Sequence, residues 1–500
     1  MRLESAIRAL IISCALMPFA SRAPAAEASL TLSLKEAIRM GVEKNLDVRA
    51  ELYNPAQFEA DINRNKAIYD PLLTLQTSYS DALQPTTFVG GQAFSYGRMF
   101  QADSSLSQLF WSGATATAGF TNTFNSVSIY APLSNFWQSS LGITLTQPLL
   151  KNFGRETTEF NINVSRLSKS ASLEHLNTRL LNTVAQVRTE YFRLYGLREQ
   201  LQVARTSLEL ARRILSDTRA QVAAGVLPAM EITNAEFGVY SRERELIDAE
   251  KAVSDEVDVL RLLLQIKEKG DIVTSDQPRR APFEVSEEEE LKLAMGRPDI
   301  REQKRNLEIA ELQTRVFSDR TKPDLSLSTS GSLVGLDHTY SRNLQTLVSA
   351  DYPAWSVGLT FTYPLGNNAA DNDYRKSRLK AEQTAVQIRS LEEGAANDVK
   401  SAIRGIVSSY KQIAVAERGR AYAEERLRAY LRKKDVGLAT NKDVLDVEND
   451  LVAAKNNQIQ AVVSYDNAIT HLWLVTGELL EREGVRMVEG DADKLYKNLH

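Results

Sequence analysis

Two carboxylates three residues apart, Asp443 and Asp446, follow the glycine of VGLATNKDVLD, residues 436–446. On a helix that starts just after that glycine, the pair shares one face. It also lies near the helix N-terminus, where negative charge is favoured by the dipole. Thr440-x-x-Asp443 reads equally well as a capping box, a local role that accounts for Asp443 and leaves Asp446 unexplained. Other chemistry is sparse. The four histidines, His175, His338, His471 and His500, are far apart and lack H-x-x-x-H spacing. There is no G-x-S-x-G, P-loop or dinucleotide-binding fingerprint. No catalytic residue, metal ligand or cofactor is therefore expected. A formal charge of −4 without a clustered basic face also excludes a nucleic-acid partner.

The elements that must position the acidic pair are written twice. AGVLPAMEITN, residues 224–234, is a second glycine turn, with Gly225 for Gly437, Pro228 at the start of its helix, and Glu231 and Asn234 where the aspartates stand. Other landmarks recur in the same order. SLKEAIRMGVEKNLDVRAEL (33–52) is echoed weakly by ELKLAMGRPDIREQKRNLEI (290–309), and LGITLTQPL (141–149) by VGLTFTYPL (357–365). This is one duplication spanning half the chain, not a short-period solenoid. Before each turn runs a long amphipathic stretch. Leu173, Leu176, Leu180, Val184, Val187, Tyr191, Leu194, Leu197, Leu201, Ala204, Leu208, Ala211 and Leu215 step at a mean of about 3.5 residues, the coiled-coil repeat. A weaker series runs from Val399 through Ile406, Tyr410, Ile413 and Gly419 to Tyr430. Helices over 157–223 and 372–435 would each be on the order of 100 Å long, beyond any globular diameter. The arms after the turns cover half that length. Each long helix should therefore pack beside two shorter ones stacked end to end, giving a rod of antiparallel coiled coils.

Between the helices the apolar period falls to two. Trp355, Val357, Leu359 and Phe361 alternate with small polar residues, as do Leu141, Ile143 and Leu145, and Ala114, Ala116, Ala118 and Phe120. That is the pattern of transmembrane β-strands, although a sheet covering a soluble core alternates in the same way. Trp111, Trp137, Trp355, Tyr130, Phe136, Tyr352 and Tyr363 cluster in these segments and favour membrane interfaces. The strands expected are 72–79, 139–147, 325–334 and 355–363, with a further hairpin over 104–124 that is either in the sheet or outside it. Four strands cannot close a barrel alone, whereas a dimer or a trimer can.

Arg2, Arg8 and an apolar run before Ala23-Pro24-Ala25 read as a secretory signal peptide. The only cysteine, Cys14, lies inside it; Ile11-Ile12-Ser13-Cys14 resembles a lipoprotein box, but the preceding apolar stretch is short and plain cleavage is expected. The segments expected are a signal peptide (1–25), helices of a first repeat (26–70), its barrel strands (71–149) and its long hairpin (150–285). A linker with helices (286–322), second strands (323–365), a second hairpin (366–480) and a C-terminal tail (481–500) complete the chain.

From about residue 30 to 478, the order of these pieces, with QPLLKNFGRE (147–156) and VGLATNKDVLD, resembles the TolC-like outer-membrane efflux proteins. The resemblance implies a mainly α fold with β: duplicated coiled-coil hairpins forming a periplasmic α-barrel, plus a transmembrane antiparallel β-barrel shared within a homotrimer. It implies a passive exit duct set in outer-membrane lipid and extending into the periplasm. Its partners would be a periplasmic adaptor protein and an inner-membrane transporter, in a tripartite efflux pump or a type I secretion system. It further implies that Gly225, Pro228 and Gly437 mark the hairpin tips, and that Asp443 and Asp446 line the narrowest point of the pore. In well-known members a tyrosine and an arginine latch the tips. Here those positions read Lys434 and Ala439, so a latch would use Lys434 or Arg432 on a neighbouring carboxylate. The alternatives are a periplasmic adaptor or a coiled-coil scaffold without a barrel. The duplication argues against the first and the alternating strands against the second.

Overall fold

The computed structural model describes residues 30–88, 91–127, 135–268, 270–486 and 490–498. The expected leader with Cys14, Tyr130 and His500 lie outside the described residues. The first repeat opens with β1 (Leu30–Leu32), α1 (Leu34–Lys44), α2 (Leu46–Glu51) and α3 (Tyr53–Lys66). Ser33 and Glu36 form a capping box on α1, and the Asn45 side chain accepts the first free N–H groups of α2, so three short helices follow one another along the rod. Strands β2 (Leu72–Phe88), β3 (Gly91–Leu109), β4 (Thr115–Val127) and β5 (Asn135–Pro148) come next, then α4 (Arg155–Thr158), α5 (Phe160–Ala223) and α6 (Met230–Leu264). A link strand, β6 (Ile272–Thr274), pairs in parallel with β1. The second repeat has α7 (Glu287–Ala294), α8 (Pro298–Arg320), β7 (Asp324–Asp337), α9 (Tyr340–Ser349), β8 (Pro353–Thr362), α10 (Asn368–Asp435) and α11 (Asn441–Thr476), followed by α12 (Leu479–Arg482) and α13 (Gly490–Lys497).

With 64 and 68 residues, α5 and α10 are each roughly 100 Å long. Leu176, Leu180, Val184, Val187, Tyr191, Leu194, Leu201, Leu208 and Ala211 are buried along α5, as an apolar stripe in water must be. On α10, Val399, Ala402, Ile406, Ile413 and Leu427 are buried, the half-exposed Tyr410 packs its ring on the buried Tyr465 of α11, and Gly419 is exposed. The fully buried Tyr191 ties the link to the rod: its hydroxyl donates to Leu32 O at 2.8 Å and lies 3.1 Å from Asp276 Oδ2, while the Ser275 and Asp276 N–H groups donate to it. Arg188, also buried, binds Asp466 and Glu483 and donates to Thr470, joining α5 to α11 and the segment after α12.

Near the glycine turns the helices lie side by side in the order α6–α5–α11–α10. Above the link, α1–α3 flank α5 on one side, and α7 and α8 fill the space toward α10 on the other. The chain is thus a single stave with two open long edges. Those edges carry unpaired apolar residues at helical spacing, Phe237, Tyr240 and Ile247 on α6, and Val407, Val415 and Tyr422 on α10.

The sheet corrects the four-strand expectation. All six long strands form one antiparallel sheet in the order β2-β3-β4-β5-β7-β8. The 104–124 hairpin is the end of β3 and the start of β4, fully within it. Strand β3 runs 19 residues, so its outer half, 91–103, lay beyond the apolar alternation that marks the other strands.

Candidate functional site

Both long helices stop in the same way. At the first tip, Gly225 takes φ +72°, its N–H bonds Val222 O and the Val226 N–H bonds Gln221 O. At the second, Gly437 takes φ +75°, with Gly437 N–H on Lys434 O and Leu438 N–H on Lys433 O. This is the Schellman arrangement, which needs a left-handed residue and so selects glycine. Pro228 leads into α6, its carbonyl accepting the Glu231 N–H at 3.1 Å.

At the second tip Thr440 caps α11 and forms a reciprocal box with Asp443: the Thr440 N–H and hydroxyl donate to Asp443 Oδ2 at 2.9 and 2.8 Å, and the Asp443 N–H returns a bond to Thr440 Oγ1. The backbone bond from Thr440 holds the Asp443 carboxyl below its usual range. Asp443 and Asp446 are both exposed, one turn apart on α11. Lys434 is half-buried between the hairpins. Burial pushes its ammonium down, opposed by the nearby Asp217, Asp435 and Glu231, all of its own chain. Arg432 is exposed and makes no ion pair among the described residues.

The structure adds residues that spacing did not single out. Asn441, 3% exposed, donates to Thr218 Oγ1 at 3.0 Å and to Glu231 Oε2 at 3.1 Å, bridging α11 to α5 and α6. Glu231, the first tip's counterpart of Asp443, is thereby engaged within the chain. Just above, Val444, Val447 and Leu451 pack on Ile214 and Leu427. Next, the buried Arg242 of α6 pairs with the buried Glu448 of α11, which also bonds Ser207 of α5; burial raises the Glu448 carboxyl. A polar residue at a position otherwise reserved for the apolar seam was the available signal for Asn441 and Glu448.

At the other end the sheet has two faces. Directly paired residues share a face. One face carries Leu73, Leu75 and Tyr79 on β2; Phe100 and Leu106 on β3; Phe120 and Phe124 on β4; Trp137, Leu141, Ile143 and Leu145 on β5; and Trp355, Val357, Leu359 and Phe361 on β8. Most of these are exposed, Ile143 at 63% and Trp355 at 81%. The opposite face carries Thr74, Gln76, Ser105, Ser107, Thr117, Thr121, Thr144, Thr146, Ser328, Ser330, Ser356 and Thr360. Trp137 to Leu145 is about 27 Å along β5, close to the ~25 Å apolar band of a membrane barrel. Beyond Tyr79 and Phe100 the apolar face turns polar with the Asp81–Arg98 ion pair. Beside Trp137, α9 lies on this face, where Asn343 bonds Ser139 and Ser139 bonds Asn122, so polar residues there are roofed. Gly335 permits that approach, since a Cβ there would sit 2.2 Å from Asn343 O. Among the described residues no helix is long and apolar enough to cross a membrane.

A helical rod carrying an edge-open sheet with one apolar and one hydroxyl-rich face is the build of a protein that enters a membrane through its strands. The profile described as outer membrane efflux protein (OEP) matches residues 114–264 and 292–478. The chain belongs to this family and resides in the outer membrane. It is 22% identical over 367 residues to the outer membrane efflux protein BepC of Brucella suis, covering 72% of this chain and 76% of that one. To the pyoverdine export outer membrane protein OpmQ of Pseudomonas aeruginosa it is 23% identical over 306 residues, 59% of this chain and 61% of that one. Its fold is similar to the Campylobacter jejuni CmeC outer membrane channel, with a TM-score of 0.65 at 16% identity over 93% of this chain and 89% of that one. It is also similar to VceC of Vibrio cholerae, with a TM-score of 0.64 at 14% identity over 89% and 96%. The family is one of channels, not enzymes.

Proposed function

We propose that this chain is one of three identical staves of a passive outer-membrane exit duct. The observation that carries the reading is the pair of open edges running the whole molecule: β2, α3 and α6 on one side, β8 and α10 on the other. Unpaired strand edges are not tolerated in hydrocarbon, and unpaired apolar stripes are costly in water, so copies of the chain supply what each edge lacks. The apolar sheet face meets lipid, the hydroxyl face lines the lumen, and the helices cross the periplasm. A periplasmic adaptor and an inner-membrane transporter engage the tips and part the hairpins, in a tripartite efflux pump or a type I secretion system; these partners, not the duct, select the cargo.

In the trimer Asp443 and Asp446 form two stacked rings of three carboxylates at the narrowest point. Such rings attract cations, and the Thr440 cap keeps the Asp443 ring ionised to lower pH than an ordinary aspartate. Asn441 holds the two hairpins of one chain together and Lys434 sits near acids of the same chain, which leaves the exposed Arg432 as the candidate for a latch to a neighbouring carboxylate. The test is planar-bilayer recording of the Asp443→Asn/Asp446→Asn double variant. Reversal potentials in a salt gradient should lose their cation preference; unchanged selectivity would remove the pair from the pore.

A further inference from the structure

Where the sheet meets the rod, one open cleft of about 650 Å³ brings aromatic, cationic and anionic side chains together. Tyr69, Gln108, Phe110, Trp111, Arg155 and Glu159 line it. The strand ladder fixes its depth. Gln108 lies in one cross-strand row with Ala116 and Leu145, and Leu145 is the last apolar residue of β5 on that face. Phe110 stands two residues further on, about 7 Å, and headgroups occupy about 5–8 Å on each side of the hydrocarbon. The cleft is therefore level with the headgroups of the leaflet nearest the rod. Its walls are tied down. The turn carrying Phe110 and Trp111 is pinned to the loop before α4: Ser112 Oγ donates to Gln147 Oε1 at 2.9 Å, and Ser112 O accepts from Gln147 Nε2 at 3.2 Å and from the Gly154 N–H at 3.0 Å. The buried Glu159 anchors the back of the cleft, accepting from the Tyr69 hydroxyl at 3.2 Å and from Arg155 Nε at 2.9 Å. The Arg155 side chain is nonetheless 69% exposed, and its terminal nitrogens have no partner among the described residues. Glu156 beside it is turned to Arg315 of α8. Phe110 and Trp111 are exposed as well.

We propose that this cleft binds the headgroup of a zwitterionic phospholipid, one whose phosphate is followed by an ammonium group. A guanidinium held in place through its Nε presents its terminal nitrogens as a fork that matches two phosphate oxygens. Trp111 offers an aromatic face to the ammonium, and Phe110 leads the acyl chains onto the apolar rows above. Charge decides between headgroups. Arg155 and Glu159 sum to zero, so a zwitterion leaves no charge uncompensated, whereas an anionic headgroup brings surplus negative charge beside the buried Glu159. A lipid held here fastens the foot of the sheet to one leaflet and so fixes the depth of the rod. That this leaflet is the periplasmic one rests on the reading above; the binding itself does not.

Native mass spectrometry of the detergent-extracted full chain, supplied with dioleoylphosphatidylethanolamine or dioleoylphosphatidylglycerol, reads the site. The ethanolamine lipid should be retained in preference to the glycerol lipid. Arg155→Gln should lower that retention by about tenfold, the worth of charge-assisted bonds to an anionic oxygen. Trp111→Ala should lower it too, whereas Trp355→Ala, at the other edge of the same apolar face, should retain the lipid as the wild type does. If Arg155→Gln fails to fold, Trp111→Ala, in an exposed turn, decides alone. Equal retention in variants and wild type, or a preference for the glycerol lipid, overturns the proposal. So does the absence of any retained lipid, the result expected if a neighbouring copy fills the cleft. The leaflet is tested separately with Trp111→Cys, since the only native cysteine, Cys14, sits in the expected leader. A polymer-linked maleimide too large to cross the outer membrane should leave Trp111→Cys unlabelled in intact cells. Labelling from outside overturns the periplasmic reading and leaves the lipid result standing.

Discussion

Asn441→Ala should loosen the tip without unfolding the rod. Its amide nitrogen makes two bonds, to the Thr218 hydroxyl at 3.0 Å and to the Glu231 carboxylate at 3.1 Å, in a setting only 3% exposed. A neutral bond of this kind contributes about 1 kcal/mol net and one to a charged acceptor about 2 kcal/mol. The partners are not orphaned. Thr218 still donates to Ile214 O at 2.7 Å, and Glu231 keeps Asn234 and the nearby Lys434. The loss should therefore stay near 2–3 kcal/mol per chain rather than grow by an added desolvation cost, which is roughly a 30- to 150-fold rise in the population of parted hairpins. The apolar contacts of Val444, Val447 and Leu451 on Ile214 and Leu427 remain, so the global unfolding temperature should move little. Two measurements read the effect: open probability in planar bilayers, and hydrogen exchange of the first turns of α11. Wild-type gating together with wild-type protection over 441–447 would refute the claim that Asn441 is the stitch between hairpins.

Three further outcomes are expected. Ile143→Arg, on the apolar face, should cost about 2–4 kcal/mol in the membrane and deplete assembled protein, whereas Thr144→Arg, its lumen-side neighbour, should assemble normally; equal losses would mean the faces are misassigned. Glu256, buried in the α5–α6 seam beside Glu190 and partly offset by Arg193, has its carboxyl pushed up to about 7. The folded state then keeps a proton that the unfolded chain releases near 4.5, so this group's contribution to stability is full below about pH 4.5 and is lost, on the order of 3 kcal/mol, as pH rises through 7. Glu256→Gln should flatten that fall and raise the melting temperature at pH 8; an unchanged slope refutes the assignment. Tyr191→Phe removes the hydroxyl that holds Leu32, Ser275 and Asp276, and should destabilise the link by about 2 kcal/mol in denaturant titrations, with little change if those groups find water instead.

Much of the helical architecture was legible because its rules are local. A 3.5-residue stripe from Leu176 to Ala211, a glycine at each turn, and Thr440 three residues before Asp443 specify helix, stop and restart with no knowledge of what lies across the seam. The strand count was not legible. Strands β2 and β3 interrupt their apolar alternation with Thr77, Asp81, Arg98, Ala102 and Ser104, and a signal of period two weakens quickly when broken. Their place in the sheet is decided by pairing with each other and with β4, which no window of sequence contains. The polar Asn122 and Ser139 read as faults in an apolar face until α9 is seen to cover them.

The candidate site divides along the same line. Sequence by itself placed Asp443 and Asp446 one turn apart at the start of a helix, because spacing within a helix is a property of the chain alone. It could not tell that Asn441 is buried and bonded to residues more than two hundred positions away, that Glu231 serves the same stitch, or that Lys434 faces acids of its own chain. Those facts depend on how two hairpins lie against each other. Burial, and with it the worth of a hydrogen bond or a charge, is set by what packing removes from water, and only the tertiary structure decides that.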